Sequence, residues 1–213
     1  NMPIDRSHIV FAFTGVRPLP SSSASRTGAI SRDHSIRVIE GGTGIKFPVY
    51  ALVGGKWTTF RAFAEQTADK LFERLGIIRK VGTEDLPIGG GRNYPQTEAE
   101  QRQYLNEIHA KTGVPMPRLQ TLFERYGTNV EAMTGFMAAG EDAPLLHQPD
   151  YSRREIRYII EKEMVVHVDD IILRRTALAM LGYVNGGLLA ELAAIAGETL
   201  GWTAEQTQAE IQR

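Results

Sequence analysis

The spacing of apolar and polar positions divides these 213 residues into two stretches of different character. Residues 8–14, HIVFAFT, are β-branched or aromatic enough for a buried strand, and the turn residues Gly15, Pro18 and Pro20 stop it. Residues 21–31, rich in Ser, Gly and Ala, read as a mobile loop. Residues 35–40 alternate as a half-exposed strand does, residues 41–44 make a turn, and residues 47–53 give a third strand. A helix then starts near Thr58. It sets Phe60, Phe63, Ala64, Thr67, Ala68, Leu71, Phe72 and Leu75 on one broad face for burial, and Gly76 suits its C′ position. Three strands, one of them apolar on both faces, need more covering protein than this segment offers.

Residues 77–95 hold Asp85-Leu86-Pro87 and the triplet Gly89-Gly90-Gly91, a linker or a loop folded over another surface, so a domain boundary is placed near residue 80. Everything beyond reads as helical. Thr97 with Glu100, Thr128 with Glu131, Ser152 with Glu155 and Thr203 with Gln206 all have capping-box spacing. Pro117 begins a helix that carries Leu119, Leu122 and Phe123 and ends near Gly127. Ser152 opens another with Ile156, Ile159, Ile160 and Met164 inward, and Asp169 can cap a third through Ile172, Leu173 and Ala177 to Gly182. Residues 188–200 are apolar nearly all round, the mark of a central buried helix. The expected class is therefore α+β, a β-rich part over residues 1–80 followed by an all-α domain over 81–213.

Composition narrows the partners. With 24 basic against 25 acidic residues and a formal net charge of -1, no global field points to nucleic acid or an acidic membrane surface. There is no cysteine, which excludes disulfides and thiolate chemistry and fits a cytosolic setting. No run reaches the roughly 18 uninterrupted apolar residues of a membrane span. The five histidines form no HxxxH or HExxH pattern, so no metal is expected.

Candidate chemistry centres on FPVYALVGGKWTTFR, residues 47–61. A strand runs into Gly54-Gly55, then Lys56, then Thr58-Thr59 at a helix start, an order that suits an anion. Glycines let the backbone come close, and the first N–H groups of a helix lack partners of their own. The alternative is a plain strand-to-helix turn with a solvated lysine. Arg17 in GVRPL and Arg32 in SRDH are further candidates, since a guanidinium holds carboxylate or phosphate through its planar fork; each also reads as a surface salt bridge. Arg174-Arg175 follow Asp170 at four and five residues and are read as structural. A full Walker lysine loop, GxSxG and a strand-linked GxGxxG are all absent.

Taken in order, GVRPL at 15–19, SRDH at 31–34 and GGKWTTFR at 54–61 resemble the second half of the FAD-dependent glycerol-3-phosphate dehydrogenases and the related glycerophosphate oxidases. Residues 151–181, YSRREIRYIIEKEMVVHVDDIILRRTALAML, look like the helical C-terminal domain of that family, and GW-x-x-E-Q at 201–206 fits its ending. The resemblance implies that Arg17, Arg32 and Lys56 face sn-glycerol 3-phosphate, and that Gly54, Gly55, Lys56, Thr58 and Thr59 lie against FAD. It implies hydride removal from C2 to give dihydroxyacetone phosphate, with a quinone or oxygen as final acceptor. It also allows peripheral attachment to the cytoplasmic membrane and a homodimer. The family's N-terminal Rossmann-type half is not among these residues, so the chain reads as a piece of something longer, not expected to bind FAD well or turn over alone. A helical interaction or dimerisation module is one alternative, and a related flavin oxidase of another substrate is the other.

Overall fold

The computed structural model describes residues 5–9, 12, 14–15, 21, 25–26, 30, 33–54 and 56–213. Contacts divide the chain into two compact units, Thr14–Leu86 and a second of Asn1–Phe13 with Pro87–Arg213. The class is mostly helical, with one small antiparallel sheet near the amino end.

In the first unit the sheet has two strands among the described residues, β1 (Ser35–Ile39) and β2 (Val49–Val53). They pair antiparallel in a register that sets Ser35 opposite Val53 and Ile39 opposite Val49. α1 (Phe60–Leu75) follows and ends at Gly76, whose φ of 67 is the left-handed cap its sequence predicts. Arg74 ties α1 to Glu40 through two hydrogen bonds of 2.9 and 2.8 Å, and this guanidinium holds the Glu40 carboxyl below its usual range. Arg79 folds the next segment back onto α1 through Glu65 and Asp69.

The apolar stripe of α1 is where expectation and structure part. Of its eight positions only Phe63 is buried, at 8% exposure, while Phe60, Leu71 and Leu75 are exposed. Val38, Ile39, Phe47 and Leu52 of the hairpin are exposed as well. A two-stranded ribbon has too little surface to bury a whole helix face, so the stripe is real but uncovered. The strand expected over residues 8–14 falls partly outside the described residues. Of those described, His8 closes a 3-10 turn, and Ile9, Ala12 and Thr14 belong to no strand. Asp5 explains this start: its carboxylate accepts from the Ser7 N–H at 2.8 Å and the Ser7 hydroxyl at 2.6 Å, bonds that favour a turn over a ladder.

The second unit holds six α-helices among the described residues: α2 (Glu98–Thr112), α3 (Met116–Tyr126), α4 (Val130–Ala138), α5 (Arg153–Lys162), α6 (Gly186–Leu200) and α7 (Ala204–Gln212). α2, α3 and α4 close one core around Leu105, Ile108, Leu122 and Met133. α5 and α6 close a second around Ile156, Ile159, Leu188 and Leu192. Full burial of such side chains stabilises by about 1.5–3 kcal/mol each, and the described residues of the first unit form no comparable core.

Two of the four capping boxes close as drawn, Thr97 with Glu100 and Thr203 with Gln206. The other two are half-made, because tertiary partners take the groups. Ser152 Oγ accepts from the Glu155 N–H, but the Glu155 carboxylate turns inward to Arg118, Arg125 and Tyr126. Thr128 Oγ1 bonds with the Gly90 and Arg92 carbonyls, Asn129 takes the N-cap of α4, and Glu131 pairs with Lys111 at 2.9 Å. The glycine triplet is thus a loop laid over the α3–α4 turn. Gly90 has φ 74, and a Cβ on it would collide with the Tyr126 carbonyl oxygen.

Two further expectations need correction. Met164 is not inward; α5 ends at Lys162, and Met164 lies beyond it at φ 55 with its side chain 84% exposed. The helix expected from Asp169 to Gly182 is a π-helical turn, Asp170–Arg175, on which Leu173 is exposed, and after it the chain breaks into turns. The Asp170 carboxylate accepts the N–H groups of Val166 and His167 and pairs with Arg174 at 2.9 Å, so Arg174 has the structural partner its spacing suggests.

Candidate functional site

The register of the hairpin decides what meets at its open end. Because Ser35 faces Val53, the Asp33-His34 segment and Gly54 leave the sheet side by side. Gly54 turns at φ 77, and a Cβ there would lie 2.9 Å from the Asp33 carbonyl oxygen, so this backbone approach needs glycine. The tail of SRDH and the head of GGKWTT, 20 residues apart in the chain, are neighbours for that reason.

Lys56 then opens a 3-10 turn, Trp57–Thr59, ahead of α1. Its N–H donates to Thr59 Oγ1 at 3.2 Å, the same hydroxyl donates back to the Lys56 carbonyl at 3.2 Å, and the Thr59 N–H donates to that carbonyl at 3.0 Å. The helix therefore starts at Phe60, one tight turn later than the sequence suggests. Thr59 is engaged in closing that turn. Thr58 and Lys56 are exposed, and the Lys56 ammonium is in no ion pair among the described residues. On the other side His34 packs on α1: its Nε2–H donates to Gln66 Oε1 at 2.8 Å, and its ring lies 4.3 Å from that of Phe63. Gln66 and Phe63 are one helical turn apart, a spacing that marks a shared face and could have pointed to this contact.

Of the candidate residues the structure describes Gly54, Lys56, Thr58 and Thr59. Arg17, Arg32 and Gly55 lie outside the described residues. The described residues make a polar edge: a glycine-forced backbone approach, an exposed lysine and a short helical start with an exposed hydroxyl at Thr58. Such an edge can take an anionic or polar group from one side. In the second unit a cavity of about 510 Å³ under the glycine loop is lined by Tyr104, Thr128 and Glu131 among others, and holds none of the candidate residues. Among the described residues no cluster of His, Asp and Glu is suited to a metal, and no helix is long and apolar enough to cross a membrane.

Comparison with known proteins adds to this geometry. Residues 81–207 match the family described as the C-terminal domain of alpha-glycerophosphate oxidase. The chain is 28% identical over 224 residues to a probable mitochondrial glycerol-3-phosphate dehydrogenase of Dictyostelium discoideum, covering 100% of this chain and 33% of that protein. It is 29% identical over 219 residues to a glycerol-3-phosphate dehydrogenase of Synechocystis, covering 99% of this chain and 37% of that protein. The X-ray structure of the glycerol-3-phosphate dehydrogenase from Bacillus halodurans complexed with FAD shares the fold, with a TM-score of 0.57 and 21% identity over 78% of this chain and 37% of that one. The chain thus spans about a third of the length of the relatives it matches.

Proposed function

This chain belongs to the family of the C-terminal domain of alpha-glycerophosphate oxidase, and on that premise we propose that it is the C-terminal part of an FAD-dependent enzyme that oxidises sn-glycerol 3-phosphate to dihydroxyacetone phosphate. In this reading residues 1–80 complete the flavin and substrate domain, and residues 81–213 are the helical C-terminal domain. The observation that carries it is the convergence of two of the three motifs at the open end of the hairpin, through the Ser35–Val53 register. The hairpin's exposed apolar side chains support the same reading, because two strands by themselves are only marginally stable in water.

The described residues fit a flavin as one wall of its site. Gly54 lets the Asp33 backbone come close and so fixes the edge, and Thr58 offers an exposed hydroxyl beside the exposed Lys56. When bound, FAD supplies the two-electron acceptor, with a quinone or oxygen taking the electrons afterwards. The part of this chain is to bind and orient. Lys56, together with Arg17 and Arg32, would hold the phosphate dianion of the substrate and so fix its C2 hydrogen toward the ring. The turn's N–H dipoles would favour negative charge at the reduced ring. The isolated fragment lacks the other wall and is proposed to be inactive by itself.

The test is dye reduction by the full-length gene product purified with flavin. Glycerol 3-phosphate should support it, and Lys56→Ala should raise KM by at least about tenfold, as loss of one charge-assisted bond of about 1.5–3 kcal/mol requires. Absence of dye reduction with glycerol 3-phosphate would sink the substrate assignment. An equal effect of Lys56→Ala on a neutral amine substrate would favour a flavin oxidase of another class.

A further inference from the structure

The glycine triplet at 89–91 has no part in the function proposed above, yet the fold gives it a defined place. Three residues of this loop adopt positive φ: Gly89 at 33, Gly90 at 74 and Asn93 at 52. Backbone held in this way clusters at ligand clamps. Thr128 fixes it: its N–H donates to the Gly90 carbonyl at 2.9 Å, and its hydroxyl is shared between the Gly90 and Arg92 carbonyls at 2.9 and 2.8 Å. Those carbonyls are thereby engaged, whereas the N–H groups of Gly90, Arg92 and Asn93 donate to no acceptor among the described residues. Gly90 is buried, where a backbone donor ordinarily has a partner.

Under this loop lies the cavity of about 510 Å³, a size usual for small-molecule sites. Arg92, Asn93, Asn129 and Glu131 stand on its wall. The Arg92 guanidinium forms no hydrogen bond or ion pair among the described residues, and neither carboxamide makes a side-chain hydrogen bond among them. Glu131 meets Lys111 at 2.9 Å through one oxygen, so its charge is compensated while its second oxygen takes no donor among the described residues. Arg92 is left as the uncompensated charge of the wall, which matches a monoanion better than a phosphate dianion. Its planar fork receives a carboxylate through two parallel bonds. Two carboxamides and a carboxylate oxygen bond hydroxyl groups, so the rest of the ligand is hydroxylated and not apolar. We propose that this cavity binds a small polyhydroxy monocarboxylate, with its carboxylate on Arg92 and the loop N–H groups and its hydroxyls on Asn93, Asn129 and Glu131.

Hydrogen–deuterium exchange of the full-length gene product titrated with D-gluconate tests the site. Gluconate should slow the amides of residues 87–93 in a saturable way. Arg92→Ala should raise the half-saturating concentration at least about tenfold, the loss expected for one charge-assisted pair, and should melt as the wild type does because Arg92 is exposed. Sorbitol keeps the hydroxyls without the charge and hexanoate the charge without the hydroxyls, and each should need at least about tenfold more than gluconate. Asn129→Leu should weaken gluconate and leave hexanoate unchanged. Unaltered exchange at 87–93 with gluconate would overturn the site, as would protection that Arg92→Ala leaves at the same concentration. Hexanoate acting as well as gluconate, or inorganic phosphate acting at a lower concentration than gluconate, would overturn the assigned ligand class.

Discussion

Replacing Glu155 by glutamine removes a buried charge that joins the two helical cores. The carboxylate is 0% exposed; one oxygen takes the Arg118 guanidinium, and the other accepts from Arg125 at 3.1 Å and from the Tyr126 hydroxyl at 2.7 Å. Glutamine keeps the size and can still accept from Tyr126. Its amide, however, points a donor at the Arg118 donors. Breaking a buried ion pair from one side costs about 3–5 kcal/mol, and the lower end applies here because the arginine side chains, 21% and 23% exposed, can take up water. Urea unfolding followed by far-ultraviolet circular dichroism reads this directly. With an m of about 2 kcal/mol/M, a loss of about 3 kcal/mol lowers the midpoint by about 1.5 M at unchanged slope. A midpoint within about 0.25 M of the wild type, equivalent to the roughly 0.5 kcal/mol of an ordinary surface change, would refute the claim that this carboxylate holds the cores together. A cycle with Arg118→Ala checks the cause, since the two losses must be non-additive if they share one bond.

Three further outcomes follow from the same unit. Burial first, then the Glu155 charge and hydrogen bond, push the Tyr126 phenol far above its usual range. Its contribution is therefore full below the unfolded value of about 10 and declines as pH rises past it; a pH series of urea midpoints should fall above about pH 10, and Tyr126→Phe should flatten that fall. Gly90→Ala would drive a Cβ into the Tyr126 carbonyl oxygen at a positive φ, so it should cost at least about 2 kcal/mol and expose residues 87–93 to limited proteolysis. Thr97→Ala removes the acceptor of the Glu100 N–H, a bond of 3.2 Å, and should lower stability by about 1 kcal/mol, seen as a melting temperature about 2–4 °C lower.

Much of this protein was legible one residue at a time. Helix periodicity located α1, α3, α5 and α6, glycine at C′ placed the end of α1, and the ordered motifs pointed to the glycerol-3-phosphate dehydrogenases, because each of these signals is local. What local sequence could not decide is which partner wins when a side chain has two. Thr128 and Glu155 stand at capping-box spacing, yet a carbonyl loop takes one and two arginines take the other, since a bond to a charged or buried group outweighs a solvated cap. The stripe of α1 predicts burial correctly as a face and wrongly as an outcome, because burial depends on what lies opposite, and here that is a two-stranded ribbon. At the candidate site the chain order supplied Gly54, Lys56, Thr58 and Thr59 together. Only the pairing of Ser35 with Val53 brought Asp33 and His34 to them, since strand register is fixed by hydrogen bonds between segments distant in sequence.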